Sequence, residues 1–102
     1  MTIEHGFHAA IPAQKGKGEE LVALLMQAPA LTNEDCLVFL VGRSAGDADL
    51  VFVTEGWRSA EAHGRFFNSE AAKDYTARVG ALVNGDSLYA DEIPVGGKAI
   101  FD

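Results

Sequence analysis

Polar and apolar residues alternate with a period of two at the start of the chain. Ile3, His5, Phe7, Ala9 and Ile11 fall on one side of residues 2–11, with Glu4, Gly6, His8 and Ala10 on the other. That alternation predicts a half-buried strand, which Pro12 ends. The rhythm then becomes helical in KGKGEELVALLMQA, where Leu21, Leu24, Leu25 and Ala28 share a face and Glu19 and Glu20 sit in the first turn. Negative charge there is favoured by the helix dipole, and Pro29 closes the helix. After the linker ALTNED come two apolar runs, residues 36–43 and 50–57, whose connection is rich in Gly, Ser and Asp and suits a hairpin. Ser59 can cap a second helix that reaches about residue 83, with a candidate break at Asn68 and Ser69. Asn84-Gly85-Asp86 stops it, and a last strand covers residues 87–95 with Pro94 near its end.

The order strand, helix, strand, strand, helix, strand predicts an α+β fold of the ferredoxin-like βαββαβ type: a four-stranded antiparallel sheet with two helices on one face. One domain would occupy residues 1–95. The remainder, 96–102 (GGKAIFD), reads as a C-terminal arm with a glycine hinge and an apolar end that docks elsewhere. A sheet wet on one face should alternate, yet the two middle strands do not. Cys36, Val38 and Leu40 oppose Leu37, Phe39 and Val41, while Leu50 and Phe52 oppose Val51 and Val53. Two helices cover only one face, so a homodimer packed sheet to sheet is expected; loops and the tail are the alternative cover.

Composition narrows the function classes. The 102 residues carry a net charge of −7, from 8 Lys and Arg against 15 Asp and Glu, with no basic stripe, which argues against nucleic acid as a partner. The longest apolar run, residues 21–26, is far too short to span a bilayer, and the start MTIEHGFH lacks a leader pattern, so no membrane association and a cytoplasmic location are expected. Cys36 is the sole cysteine, which rules out a disulfide within one chain; opening the apolar run CLVFLV, it fits a small buried hydrophobe. His5 and His8 are three apart on a strand and point to opposite faces, so they form no shared metal site. Glycine-rich pieces such as KGKG and GGK match neither phosphate-loop nor dinucleotide patterns. No metal and no cofactor are expected.

The chemistry-bearing stretch is TEGWRSAEAHGRFFNSE, residues 54–70, where a strand turns into a helix at the only tryptophan. If the second helix is continuous, His63, Phe67, Ala71, Tyr75 and Val79 recur every four residues, joined by Phe66 and Leu82. His63, six residues after Trp57, heads this stripe near a helix N-terminus, which disfavours the imidazolium and leaves a neutral ring able to accept a proton. The catalytic candidates are therefore His63 and Trp57. Phe52, Phe66, Phe67 and Tyr75 would shape the pocket, and Tyr75 with Arg78 supplies polar contacts for a flat phenolic ligand. Each residue also has a plainer role: a lone helical histidine satisfied by a carbonyl, and a tryptophan in the core.

PAQKGKGEELVALL, the Cys-Leu pair opening the second strand, and VFVTEGWRSAEAHGRFFNSEAAKDYTARV resemble the antibiotic biosynthesis monooxygenase domain, a family that includes quinol monooxygenases. The sharpest piece is Glu55-Gly56-Trp57-Arg58-Ser59 with Glu61-Ala62, similar to that family's E-x-W-x-S-x-E-A signature. The resemblance covers residues 3 to about 95. It implies a ferredoxin-like dimer, the dimeric α/β barrel, and cofactor-independent oxidation of a small aromatic substrate by O₂. Trp57 carries over directly; His63, Tyr75 and Arg78 carry over by position. Many members have a histidine nine residues after the tryptophan, where this chain has Phe66. Haem-degrading relatives rely on Asn, Trp and His, and this chain lacks that histidine and shows no Asn on its first strand. The function expected is a cofactor-independent monooxygenase acting on a phenolic or quinol-type aromatic. The alternatives are a non-catalytic dimer that binds a small molecule, or an isomerase of a small carbonyl metabolite.

Overall fold

In the computed structural model, which describes residues 2–101, the strands are β1 (His5–Pro12), β2 (Cys36–Arg43), β3 (Leu50–Trp57) and β4 (Leu88–Asp91). They form one antiparallel sheet in the order β2-β3-β1-β4. This is the ferredoxin-like arrangement that the order of elements predicts. The helices α1 (Gly18–Leu25), α2 (Ala60–Phe67) and α3 (Glu70–Gly80), with a 3-10 turn at Pro29–Thr32, complete the α+β fold.

One sheet face builds the core. Ala9 and Ile11 of β1 and Val51 and Val53 of β3 meet Leu21 and Leu25 of α1, and Tyr75 and Val79 of α3 pack against this cluster. Leu21 and Val51 have no exposed surface. At the other end of the same face, Trp57 packs with Ala28 and Ala30. Gly18, the first residue of α1, is required there: a Cβ at this position would strike the Ala48 carbonyl. The Asp49 carboxylate fixes this approach by accepting hydrogen bonds from the backbone N–H groups of Gly18 (2.9 Å) and Gly16 (3.0 Å), which hold its pKa below the ordinary carboxylate value.

Four sequence expectations shift. The second helix is broken where Asn68 and Ser69 allow it: the Ser69 hydroxyl donates to the Phe66 carbonyl (2.7 Å) and accepts from the Ala72 N–H (3.2 Å), starting α3 afresh. The break moves the inner stripe from Ala71, which is exposed, to the buried Ala72, while Tyr75 and Val79 stay inward. A register shift between Cys36 and Val38 puts Cys36 on the same side as Phe39, against the Trp57 cluster, rather than beside Val38 and Leu40. Ile3 precedes β1 and lies over Gly56 on the face away from the helices. β4 is shorter than residues 87–95, and residues 92–101 continue without regular structure beside β2.

Candidate active site

Between the helix-facing side of the sheet and the helices α2 and α3 lies a cavity of about 550 Å³. β3 presents Val53 and Glu55 to it, one residue in two, because alternate side chains of a strand share a face. β1 presents His5, Phe7, Ala9 and Ile11 by the same rule, and β2 adds Phe39. From the helices come His63, Phe66 and Phe67 of α2 and Tyr75 and Val79 of α3; Tyr89 and Asp91 of β4 border the cavity as well. The lining is mostly apolar with a few polar groups, as small-molecule sites tend to be.

The signature segment arranges most of this. Ser59 accepts a hydrogen bond from the Ala62 N–H (3.1 Å) and so starts α2, which fixes where His63 stands. Arg58 binds the Asp35 carboxylate through Nε at 3.1 Å and thereby ties the strand end to the loop before β2. Trp57 is wholly buried. Its indole N–H donates to the Glu55 Oε1 at 2.8 Å, and its rings lie 4.9 Å from the His63 ring and 5.0 Å from that of Phe66. The tryptophan therefore stands behind the cavity wall and does not border the open volume: it supports a residue on either side of it.

His63 and His5 form a pair, with His5 Nε2 and His63 Nδ1 separated by 3.0 Å and their ring centroids by 4.9 Å. Register explains the encounter: His5 is the partner of Trp57 across β1 and β3, so the end of β1 delivers an imidazole to the side of the sheet that α2 covers. Burial lowers the His63 pKa below 6.5, and the neighbouring His5 lowers it further. The direction is the expected one, but its causes are desolvation and a second histidine rather than the helix N-terminus.

Besides the exposed Asp91 of β4, the site has one partly buried carboxyl group, Glu55. Burial raises its pKa above the ordinary value, and the hydrogen bond from Trp57 partly offsets this. Its charge in turn raises the pKa of two neighbours that burial already raises: Cys36, pushed up to about 11, and the phenol of Tyr75. The Tyr75 hydroxyl is buried, and among the described residues no group hydrogen-bonds to it. An unsatisfied buried hydroxyl costs on the order of 1–3 kcal/mol.

The cavity thus brings together His63, Phe66, Phe67 and Tyr75. Phe52 and Arg78 are not among its lining residues. Phe52 alternates with Val51 and Val53 and so stands on the opposite sheet face, 41% exposed. Arg78 is exposed on α3, one residue before the inward Val79. Sequence reasoning passed over His5 and Glu55 as site residues. Both carried a signal: each is a polar residue on the apolar side of an alternating strand, and Glu55 alternates with Val51, Val53 and Trp57. Among the described residues, no group of three or more His, Cys, Asp or Glu side chains is placed to hold a metal ion.

A family model described as antibiotic biosynthesis monooxygenase matches residues 5–78. The fold is similar to that of a protein of Chloroflexus aurantiacus described as a candidate antibiotic biosynthesis monooxygenase, with 26% identity over 95% of this chain and 98% of that one and a TM-score of 0.81. The PA3566 protein of Pseudomonas aeruginosa is similar at 23% identity over 94% of this chain and 98% of that one (TM-score 0.77). Rv0793 of Mycobacterium tuberculosis is similar at 21% identity over 93% and 98% (TM-score 0.76). None of the curated proteins matches the chain.

A titration of stability tests the electrostatics of Glu55. Because its folded pKa lies above the unfolded value, the folded state is favoured fully below about pH 4, where both states hold the proton, and loses that advantage as pH rises through the folded pKa. Glu55→Gln keeps an acceptor for the indole N–H but cannot ionise. Its Tm relative to the wild type is expected to rise between pH 4 and pH 7.5; a difference that does not change with pH would contradict the assignment.

Proposed function

Because the chain belongs to the antibiotic biosynthesis monooxygenase family, whose model spans residues 5–78, we propose that its cavity oxidises a phenolic or quinol-type aromatic with O₂, with His63 as the general base. The observation that carries this reading is the histidine pair in an apolar cavity. In the tautomer with His63 Nδ1–H donating to His5 Nε2, the His63 Nε2 atom keeps a free lone pair. The lowered pKa keeps that ring neutral at physiological pH, as an acceptor of a phenolic proton must be.

The chemistry then needs little else from the protein. Transfer of the phenol proton to His63 leaves a phenolate, which passes one electron to O₂ and becomes a phenoxyl radical beside superoxide. Recombination at ring carbon, with return of the proton from His63, gives a hydroperoxide. Loss of water, with cleavage of the O–O bond and departure of the ring C–H proton, leaves a quinone. One oxygen atom ends in the product and one in water, and the substrate supplies all four electrons. Apolar walls formed by Phe7, Phe66, Phe67 and Val53 keep bulk water from the intermediates. Trp57 and His5 are positioning residues, the first through ring contact with His63 and the second through its hydrogen bond.

A homodimer belongs to the same proposal. The sheet face away from the helices exposes Phe52 at 41%, Leu40 at 37% and Leu88 at 74%, an apolar surface that a second copy would cover. Sedimentation equilibrium is expected to give a dimer for the wild type at micromolar concentration and a monomer for Phe52→Glu. A monomeric wild type would refute this part.

For the catalytic part, oxygen uptake with a panel of hydroquinones and anthrones is expected to fall at least tenfold in His63→Ala, a modest share of what a general base contributes. The wild-type kcat/KM should rise with pH and level off above a midpoint below 6.5, since protonation removes the acceptor. His63→Ala turning over at the wild-type rate would remove His63 from the mechanism. Ligand binding without oxygen uptake would favour a binding protein, and conversion of a carbonyl compound without O₂ an isomerase.

A further inference from the structure

We infer that the Tyr75 hydroxyl and the Glu55 carboxyl form a second oxygen-binding subsite, apart from the histidine pair, that selects aromatic ligands bearing a second hydroxyl group. The inference rests on the reading of this cavity as a substrate site. Its starting point is the Tyr75 hydroxyl, which is buried and receives no hydrogen bond from any described residue. Its ring is held by packing against both core clusters, so it has little freedom to turn toward solvent. Glu55 is near enough for its charge to act on the Tyr75 phenol, yet the two do not hydrogen-bond. Of the two carboxyl oxygens of Glu55, Oε1 accepts from the Trp57 indole, which leaves the other able to accept from a ligand.

A hydroxyl is the one small group that satisfies both partners, because it accepts from the Tyr75 O–H while donating to Glu55. A ligand carbonyl would serve Tyr75 alone, and an apolar substituent would serve neither. The subsite is also separated from the base. Glu55 lies two residues along β3 from Trp57, whose register partner is His5, so the two polar poles are offset by roughly 7 Å along the strand at about 3.4 Å per residue. That offset is on the scale of one or two fused aromatic rings with oxygens at both ends. Beside Glu55 the wall is apolar at Phe7, its register partner, and at Val53, while Asp91, which pairs with Phe7 across β1 and β4, borders the cavity on the far side of Phe7. Sites built to bond a ligand hydroxyl reject analogues that lack it, because their own polar groups are then left unpaired.

The test compares 2-naphthol with 1,5-, 1,6- and 2,6-dihydroxynaphthalene by isothermal titration calorimetry without oxygen, on the wild type and on Tyr75→Phe, which loses only the hydroxyl. The wild type is expected to bind the best dihydroxy probe at least tenfold more tightly than 2-naphthol, and Tyr75→Phe to reduce that ratio below twofold. Equal affinities in the wild type, as would follow if a water satisfied Tyr75, overturn the assignment, and so does a preference that survives Tyr75→Phe. Oxygen uptake measured in parallel separates the two claims: a Tyr75-dependent preference in a protein that consumes no O₂ supports the subsite while removing the oxygenase reading.

Discussion

The buried indole of Trp57 is the constraint on which the site depends. Its rings lie against His63 and Phe66, and its N–H engages Glu55, so one side chain touches both an imidazole and a carboxyl group that border the cavity. Burying a tryptophan removes roughly 200 Å² from water, worth about 5 kcal/mol at ~25 cal/mol per Å², which makes its position costly to alter. Function and folding are joined at this residue. A histidine on a short helix capped by Ser59 would otherwise sample several rotamers, whereas here the indole on one side and His5 on the other leave it little choice.

The two faces of the sheet divide the work. Toward the helices, alternate residues of β1 and β3 build a core at one end and leave a cavity at the other, where His5, Phe7 and Glu55 stand in the places that Ala9, Ile11 and Val53 fill further along. The switch from small aliphatic to polar and aromatic residues along the same strands is what turns packing into a site. On the other face, Leu40, Phe52 and Leu88 remain partly open, and residues 92–101 border a groove there with Ile3 and residues 37–40. That surface is the one a second copy would cover in the proposed homodimer.

How much of this could be read from the sequence follows from what each pattern encodes. The alternation in β1 and β3, the helical spacing of Leu21, Leu24 and Leu25, and the glutamate-tryptophan signature are local, and they were enough for the fold and for the stretch holding the site. The pairing of His5 with His63 joins residues 58 apart through strand register, which no local pattern carries. Phe52 is expected to shape the pocket, but the period of two on β3 assigns it to the far face once Val51 and Val53 are known to point inward. Arg78 lies outside the cavity lining for a related reason: neighbouring positions on α3 differ by about 100°, and Val79 is the one that faces the core. Glu55 was visible only as part of a motif, since its role comes from burial and from the indole N–H beside it.

The account stands on His63 being a neutral ring whose Nε2 atom is free to take a proton. Nitrogen-detected NMR of protein labelled with 15N in its imidazoles, followed from pH 4 to pH 9, reads both the tautomer and the titration of that ring. The result expected is a His63 that holds its proton on Nδ1, directed at His5, with a midpoint below 6.5. A ring protonated on Nε2 at neutral pH, or one that titrates at or above 6.5, would contradict the account.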